Sequence, residues 1–521
     1  MQRSIVTIAL AWFALGACAP AISVRPPVAA IATGAAATRG AETITATDMY
    51  ARIAFLASDA LKGRDTPSQG LDAAAAYLVS EHRRLGLEPA GENGTFYQMY
   101  PFGMRRLDAA RTGLRIRSAR GEQMLRYGQD FFVAGGTTAD LEGGLVFAGR
   151  EIGGAGASAA TYRDRIVLTA LPGEFTRDFR LLRTQQATAA EREGARAVIH
   201  VLDRSWTRER IAEFAGRGTQ PARSLGERPG YPQFLLSYAA AERLFAAGGL
   251  RLDELYTRAA AGPIDPVSVP GLTATAGAPQ EALDRAMAPN VVAVLRGSDP
   301  VLRNEYVVLS AHMDHVGVGE PVNGDSIYNG ADDDASGTAA LVEIAEAMAS
   351  LPVRPRRSVI FLHVSGEEKG LLGSRWYSDH PTVPLQQIVA NVNIDMISRN
   401  SPDTVVVIGK DYSTLGAVVN RVGARHPELR LTAADDIWPE ERFFFRSDHF
   451  NFARKEIPAI FFFTGVHEDY HRPSDTVEKI DSDKAMRVTR LIFHTVMEIA
   501  NADGRPAWDP RGLDEVRRLT R

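Results

Sequence analysis

The amino-acid sequence predicts an α/β fold with a mixed, mostly parallel central sheet, helices on both faces, and an inserted, smaller β-rich domain. From Asn290 onward, nearly continuous apolar strands alternate with helical segments, as in sheets that are covered on both faces. Residues 130–270 instead contain short strands separated by Gly-rich turns. With 521 residues, the chain also exceeds what one hydrophobic core usually supports.

The composition is that of a globular protein and limits the possible partners. Hydrophobic residues make up 45% of the chain, and the formal net charge is -4. Nucleic-acid-binding proteins normally carry a basic surface, so no nucleic-acid partner is expected. Cys18 is the one cysteine, which excludes an intrachain disulfide framework and a zinc-thiolate site. Any metal ion must therefore be bound by His, Asp and Glu.

The N-terminus has the pattern of a secretory signal peptide. Arg3 precedes an apolar run over residues 5–17, which is too short to span a bilayer comfortably. The run ends in Leu-Gly-Ala-Cys at residues 15–18, which resembles the bacterial lipobox, in which the cysteine carries a lipid. The alternative is ordinary cleavage after Ala19, which would leave Pro20 directly after the cut. Both interpretations predict export. The lipobox predicts a periplasmic or cell-envelope protein whose membrane contact is the lipid on Cys18, and ordinary cleavage predicts a secreted protein.

Changes in composition divide the chain into six segments. The predicted segments are a signal peptide with lipobox (1–18), a flexible tether (19–46), an N-terminal part of the α/β domain (47–130), the inserted domain (131–275), the main part of the α/β domain (285–505) and a C-terminal tail (506–521).

Strands and helices of the main part follow from apolar runs and helical periodicity. Strands are predicted at 306–311, 359–364, 388–394, 404–408 and 459–463, and helices at 338–348, 371–378 and 483–500. In α/β sheets, ligands bind at the carboxyl ends of the strands. The polar motifs of this chain fall at those ends.

The first motif, His312-Met313-Asp314, follows the first strand. Residues two apart project from the same face of an extended segment, and a carboxylate beside a metal-binding imidazole orients it. The alternative is a pair of surface polar residues at a strand end.

The second motif is an acidic turn at residues 329–337, which contains Asp332, Asp333 and Asp334 before a helix. Three carboxylates on one turn repel one another unless a cation or hydrogen-bond donors offset their charge. The segment partly matches an EF-hand calcium loop, but no helix precedes it and Ala339 occupies a position where a large apolar residue usually packs. A solvated acidic loop is the other alternative.

Three further motifs complete the set. Glu367 and Glu368 follow the next strand, where a charged helix start is the alternative. Asp395 directly follows a buried strand and needs a partner there. His471 lies in a Pro-containing loop. Two histidines and three or four carboxylates on successive strand ends suit two zinc ions that share a bridging carboxylate.

These motifs, in this order, resemble the di-zinc metallopeptidase family that contains bacterial leucyl aminopeptidase, aminopeptidase Y and glutamate carboxypeptidase. The resemblance covers residues 290–500 and, more loosely, 47–100. It implies the zinc exopeptidase fold, with Asp332 bridging both zinc ions. His312 and Asp395 would complete one zinc site, and Glu368 and His471 the other. Glu367 would be the general base, and Asp314 would support His312.

The resemblance also implies features outside the ligands. The family's cis peptide would lie at Asp332-Asp333, and residues 447–449 would form the pocket wall. Residues 194–199 are similar to the protease-associated domain that is often inserted in this family.

The implied activity is that of an exported aminopeptidase acting on peptides. A carboxypeptidase of the same family is an alternative, with Arg446 binding the substrate carboxylate. A glutaminyl cyclase-like acyl transferase would use a single zinc, and a receptor-like module without activity would have lost ligands; the complete ligand set argues against both.

Overall fold

The computed structural model describes residues 34–153, 159–225 and 230–520. The predicted signal peptide and Cys18 lie outside the described residues. None of the helices within these ranges is long and apolar enough to cross a bilayer. The described part contains the following helices: α1 (Gly34–Glu42), α2 (Ala46–Leu56), α3 (Gln69–Arg84), α4 (Ala159–Tyr162), α5 (Arg177–Arg192), α6 (Arg208–Gly218), α7 (Tyr238–Ala247), α8 (Leu252–Ala261), α9 (Gly337–Ala349), α10 (Leu372–Asp379), α11 (Leu415–Arg425), α12 (His449–Ala453), α13 (Ser482–Asn501) and α14 (Pro510–Thr520).

The strands form two large sheets and one hairpin. They are β1 (Glu88–Pro89), β2 (Tyr97–Leu107), β3 (Gly113–Ser118), β4 (Gly121–Leu125), β5 (Phe131–Gly135), β6 (Thr137–Phe147), β7 (Ile166–Leu171), β8 (Ala197–Leu202), β9 (Ala222–Ser224), β10 (Gln233–Leu236), β11 (Val267–Ala278), β12 (Gln280–Ala282), β13 (Ala286–Leu295), β14 (Tyr306–His312), β15 (Gly317–Val322), β16 (Asp325–Tyr328), β17 (Ser358–Val364), β18 (Ile388–Ile394), β19 (Thr404–Ile408), β20 (Thr432–Ala434) and β21 (Ala459–Phe463).

The main sheet has the order β12-β2-β13-β17-β14-β18-β21-β19-β20. Strands β17, β14, β18 and β21 run parallel at its centre, while β13 and β19 pair antiparallel with their inner neighbours. The α/β fold class predicted from the sequence is confirmed. Antiparallel outer strands flank a parallel centre, so the polar segments after the four central strands leave the sheet at one edge.

Both faces of the main sheet are covered by helices. On one face α2, α3, α9 and α13 pack their apolar side chains against the strands in a single large core. The other face is covered by α10, α12 and α14 and is rich in aromatic side chains. The central strands are therefore buried on both sides, which explains their continuously apolar sequences.

A second sheet is built from strands between Gly113 and Ala278, in the order β4-β3-β11-β6-β7-β8-β10-β5. Its strands β6, β7, β8 and β10 are parallel, and it has its own hydrophobic core. Helices α4 to α8 lie in the same stretch of chain, so this unit is itself mixed α/β in the described residues.

Candidate metal centre

The predicted motifs meet at the carboxyl edge of the central parallel strands. His312 is the last residue of β14 and pairs in register with Val364 of β17, so the loop that carries Glu367 and Glu368 begins beside it. Asp395 directly follows β18, and His471 lies in the loop after β21. The sheet therefore brings all four motifs to one place.

The acidic turn enters this site from the start of α9. It spans Ala331–Ser336, and Asp332, Asp333 and Asp334 are all buried. Gly330 before it has a φ of 61°, and a Cβ there would lie 2.1 Å from the carbonyl oxygen of Asp333 and 2.5 Å from the His315 ring. Only glycine fits this left-handed position, which fixes how the turn enters the site.

Asp333 is the centre of the cluster. Its Oδ1 lies 3.2 Å from Nε2 of His312, and its Oδ2 lies 3.2 Å from Nε2 of His471. His312 Nε2 is also 3.5 Å from Asp395 Oδ1, and His471 Nε2 is 2.9 Å from Glu368 Oε2. Each half of the cluster thus has one histidine and one carboxylate, and Asp333 presents one oxygen to each half.

The prediction that Asp332 is the bridging residue is wrong. Its Oδ1 accepts hydrogen bonds from the backbone N–H (2.7 Å) and the hydroxyl (2.6 Å) of Ser398. Its Oδ2 lies 3.3 Å from Nε2 of His467. Successive residues of a turn point in different directions, and here only the second aspartate faces both histidines. The cis peptide bond joins Asp333 to Asp334, one residue later than expected.

Asp334 holds the backbone around the site. Its Oδ1 accepts hydrogen bonds from the backbone N–H groups of Gly337 (2.8 Å) and Met396 (3.1 Å). Its Oδ2 accepts one from the backbone N–H of His312 (3.3 Å). These bonds connect the acidic turn to the ends of β14 and β18.

Asp314 contacts His312 in a different way from the expected one. Nδ1 of His312 lies 3.1 Å from the backbone carbonyl oxygen of Asp314 but 3.7 Å from its carboxylate. The carboxylate instead accepts hydrogen bonds from the Thr66 hydroxyl (2.9 Å) and the Glu367 backbone N–H (3.3 Å). Its main connection is therefore to the loop of Glu367.

Two buried histidines near the cluster were given no role from the sequence. Nδ1 of His315 lies 2.8 Å from Glu368 Oε1 and 3.7 Å from Asp333 Oδ2. His467 contacts Asp332 as described above. In the sequence, the signal that could have identified His315 is its position directly after the His312-Met313-Asp314 motif. For His467 the corresponding signal is only its proximity to His471.

The electrostatics of the cluster favour a bound cation. Burial raises the pKa of Glu367 well above its usual range, and the neighbouring Glu368 raises it further. Burial would lower the pKa of His471, but Asp333 and Glu368 raise it to about 10. In the same way, Asp395 and Glu367 outweigh burial and raise the pKa of His312. Without metal, the carboxylates therefore hold protons on the histidines, and metal ions would replace those protons.

The donor set fits divalent zinc. Imidazole nitrogens and carboxylate oxygens are its usual ligands where thiolates are absent. In the described residues, Oδ2 of Asp333 is buried and accepts no hydrogen bond. The nearest imidazole nitrogen, His471 Nε2, lies 3.2 Å from it without making a hydrogen bond, and a cation between the two would give the oxygen a partner.

An apolar pocket opens beside the cluster. Its walls are formed by large, mainly aromatic side chains: Met396, Phe443, Phe461, Phe463, Val466 and Tyr470. Ser447, also in the wall, donates a hydrogen bond to Asp395 Oδ2 (2.8 Å), whereas Asp448 and His449 are buried behind it. Arg446 lines the pocket too, and its Nη1 lies 3.0 Å from Glu441 Oε2.

Comparison with known proteins finds a family match over the segment that carries the cluster. Residues 290–496 match the family described as Peptidase family M28, which confirms the family resemblance predicted from the motifs. Leucine aminopeptidase 2 of Trichophyton equinum is 28% identical over 241 residues, which cover 41% of this chain and 45% of that protein. Aminopeptidase YwaD of Bacillus subtilis is 27% identical over 212 residues, covering 39% and 43%. The chain thus aligns with less than half the length of these relatives.

Among solved structures, an aminopeptidase from Aneurinibacillus sp. strain AM-1 is similar over 91% of this chain and 98% of that chain, with 19% identity and a TM-score of 0.47. BSAP, a zinc aminopeptidase from Bacillus subtilis, is similar over 88% and 96%, with 20% identity and a TM-score of 0.45.

Proposed function

Because residues 290–496 carry the Peptidase family M28 match, we propose that the protein is an aminopeptidase that uses two zinc ions to hydrolyse the N-terminal residue from peptides. The observation that carries this proposal is the position of Asp333, whose two oxygens face His312 and His471 separately. A carboxylate shared in this way is what a two-metal hydrolytic site requires.

The ligand assignment follows from the contacts. His312, Asp395 and Asp333 would hold one zinc ion, and Glu368, His471 and Asp333 the other. When bound, the two ions would lower the pKa of a water molecule and polarise the scissile carbonyl. The Asp395 carboxylate is oriented by Ser447, and the Glu368 carboxylate by His315.

Glu367 is the proposed general base. It lines the cleft with His312, Asp333 and Asp395, and burial raises its pKa. A carboxylate with a raised pKa holds an accepted proton more strongly. Glu367 would accept the proton of the attacking water and transfer it to the leaving amine.

The aromatic wall of the pocket supports a preference for apolar residues at the substrate N-terminus. Its Phe443, Phe461 and Phe463 side chains would bury an aliphatic or aromatic side chain away from water. Leucine or phenylalanine should therefore be preferred over aspartate or lysine by about tenfold or more in kcat/KM.

A carboxypeptidase is the second candidate, because Arg446 lines the cleft. It is the only Lys or Arg among the cleft-lining residues that the structure describes, and its charge is paired with Glu441. A substrate carboxylate would also face Glu367, the cleft carboxylate that is not assigned to a zinc ion. The charges therefore favour a positively charged N-terminus over a C-terminal carboxylate.

Aminoacyl p-nitroanilides with free and acetylated N-termini separate these candidates. The proposal predicts hydrolysis of the free leucyl compound, no hydrolysis of the acetylated one, and loss of activity on chelation that zinc restores. Release of C-terminal residues from N-acetylated peptides would instead support a carboxypeptidase, and cyclisation of N-terminal glutamine would support an acyl transferase.

Export is also proposed, on the signal-peptide pattern and the lipobox-like residues 15–18. Cys18 would carry the lipid anchor. Acyl labelling that persists in the Cys18→Ser variant would contradict the anchor, because the chain has no other cysteine.

A further inference from the structure

The segment of residues 63–67 lies far from the catalytic motifs in sequence but is packed against them. It connects α2 to α3 and precedes the family-matched region by more than two hundred residues. Arg64 and Thr66 are each only 1% exposed. Both side chains bond to loops that carry the proposed zinc ligands and the general base.

Arg64 joins the backbone of two of these loops. Its guanidinium donates hydrogen bonds to the carbonyl oxygens of Met313 (3.0 Å), Asn329 (2.7 Å) and Gly330 (3.0 Å), and to that of Leu56 in α2. The segment after β14 and the start of the acidic turn are therefore tied to the same side chain.

Thr66 links Asp314 to the loop of Glu367. Its hydroxyl donates a hydrogen bond to Asp314 Oδ2 (2.9 Å) and accepts one from the Gly366 backbone N–H (3.0 Å). The other carboxylate oxygen of Asp314, Oδ1, accepts the backbone N–H of Glu367 (3.3 Å). These hydrogen bonds close a ring through Thr66, Asp314, Glu367 and Gly366. All four residues are buried except Glu367, which is partly buried.

The backbone beside this ring has little freedom to move. Gly366 has a φ of 71°, and a Cβ at this position would lie 2.7 Å from the Tyr100 hydroxyl oxygen. On the other side of the loop, Lys369 Nζ lies 2.9 Å from Asp65 Oδ1 of the same 63–67 segment. The direction in which Glu367 leaves the sheet is therefore set by contacts with residues 63–67.

We propose that Thr66 is a positioning residue for Glu367: its hydroxyl holds the Gly366-Glu367 backbone against Asp314, so that the Glu367 carboxylate faces the cleft. This inference rests on the proposed function. It assigns a role in the reaction to a residue outside the family-matched region. Among the described residues, Thr66 makes no hydrogen bond to a proposed zinc ligand and does not line the apolar pocket.

Thr66→Val tests the proposal, because valine keeps the shape but leaves Asp314 Oδ2 and the Gly366 N–H without their partner. We expect kcat to fall by about 10- to 100-fold, as for other residues that orient groups in metal sites. KM should change by no more than about twofold, since substrate binding does not use this bond. The two zinc ions should stay bound, and Thr66→Ser, which restores the hydroxyl, should recover most of kcat.

A matched control is Thr495→Val in α13. Thr495 is fully buried and its hydroxyl donates to the Leu491 carbonyl oxygen (2.8 Å), away from the cleft. The Thr495→Val variant should be less stable than the wild type but should keep its kcat. If Thr66→Val is insoluble, Thr66→Ala removes the same hydroxyl and carries the same expectation.

The measurements are kcat, KM and zinc content of the full-length, zinc-loaded variants. Unchanged kcat in Thr66→Val, equal losses in the Val and Ser variants, or a loss of zinc proportional to the loss of activity would each overturn the positioning role. Glu367→Gln is assayed in parallel. If that variant is fully active, the proposed function fails; if it is inactive while Thr66→Val is fully active, only the role of Thr66 fails.

Discussion

Asp332 and Asp333 are neighbours in the chain, but their carboxylates lie in different surroundings. Asp333 faces the imidazoles of His312 and His471, whereas Asp332 accepts two hydrogen bonds from Ser398. Both side chains are buried, so burial alone does not distinguish them. Their partners do, and they predict different consequences of the same substitution.

Asp333→Asn should abolish activity and lower the zinc content of the protein, because an amide cannot bridge two cations. Asp332→Asn should retain zinc but lose about 1–3 kcal/mol of stability, the usual cost of disturbing buried hydrogen bonds. Metal analysis and urea unfolding of both variants check this. Zinc loss in Asp332→Asn with normal zinc in Asp333→Asn would restore the assignment predicted from the sequence.

The sequence predicted the central sheet closely, because its strands are apolar on both faces and bounded by polar motifs. The predicted strands at 388–394, 404–408 and 459–463 match β18, β19 and β21 residue for residue. The aspartate that faces both histidines is one position later than the one predicted, since three consecutive aspartates are chemically equivalent until the turn geometry is known.

The role of residues 63–67 could not be predicted, for a different physical reason. The segment is irregular, so it has no helical or strand periodicity, and its Arg and Thr are residue types that are usually exposed. Arg64 and Thr66 are buried only because they satisfy backbone and carboxylate groups distant in sequence, and those contacts depend on the tertiary structure.

Glu367→Gln and Glu368→Gln should separate the general base from the zinc ligand. Glu368 contacts His471 and His315, whereas neither histidine contacts Glu367 within ion-pair distance in the described structure. Glu367→Gln should keep both zinc ions and lose about 10²- to 10⁴-fold in kcat, the range for a general base. Glu368→Gln should lower zinc occupancy, with activity partly recovered at high zinc. The reverse pattern of metal contents would exchange the two roles.

His315→Asn should weaken the binding of one zinc ion. Nδ1 of His315 lies 2.8 Å from Glu368 Oε1 and orients that carboxylate. Removing a group that orients a ligand typically costs about 10- to 100-fold in metal affinity. His467→Asn is the matched control, because His467 is also buried but contacts Asp332. Zinc titration of the chelated proteins measures both affinities; equal affinities in the two variants would contradict a role for His315.

His449 should make the protein sensitive to acid. Its ring is fully buried and stacks on Phe461. Burial lowers its pKa to about 3. Below about pH 6.5, the unfolded chain binds a proton that the folded protein does not, so stability is lost as the pH falls from 6.5 towards 3.

His449→Phe removes this proton-linked loss. Relative to the wild type, the free energy of unfolding of the variant should rise by about 2 kcal/mol as the pH is lowered from 7.5 to 5. Urea unfolding at both pH values, with chelator present so that zinc loss does not contribute, measures the difference. A pH-independent difference for His449→Phe would mean that the pKa of His449 is the same in the folded and unfolded protein.

Arg64→Met should destabilise the protein strongly. The guanidinium is buried, and within the described structure it bonds to no carboxylate; its four hydrogen bonds there go to backbone carbonyl oxygens. Methionine fills a similar volume but leaves these carbonyls without donors, and a hydrogen bond involving a charged group contributes about 1.5–3 kcal/mol. A loss of about 3 kcal/mol or more is expected even if water replaces some of the bonds. Arg64→Lys should recover only part of the lost stability, because a single ammonium cannot reach carbonyls on three segments.

Arg111→Met is the control. The Arg111 side chain is 75% exposed, so its replacement should change stability by less than about 0.5 kcal/mol. Urea unfolding of the zinc-loaded variants measures each loss; an Arg64→Met protein as stable as the Arg111→Met control would show that residues 63–67 do not hold the two loops together.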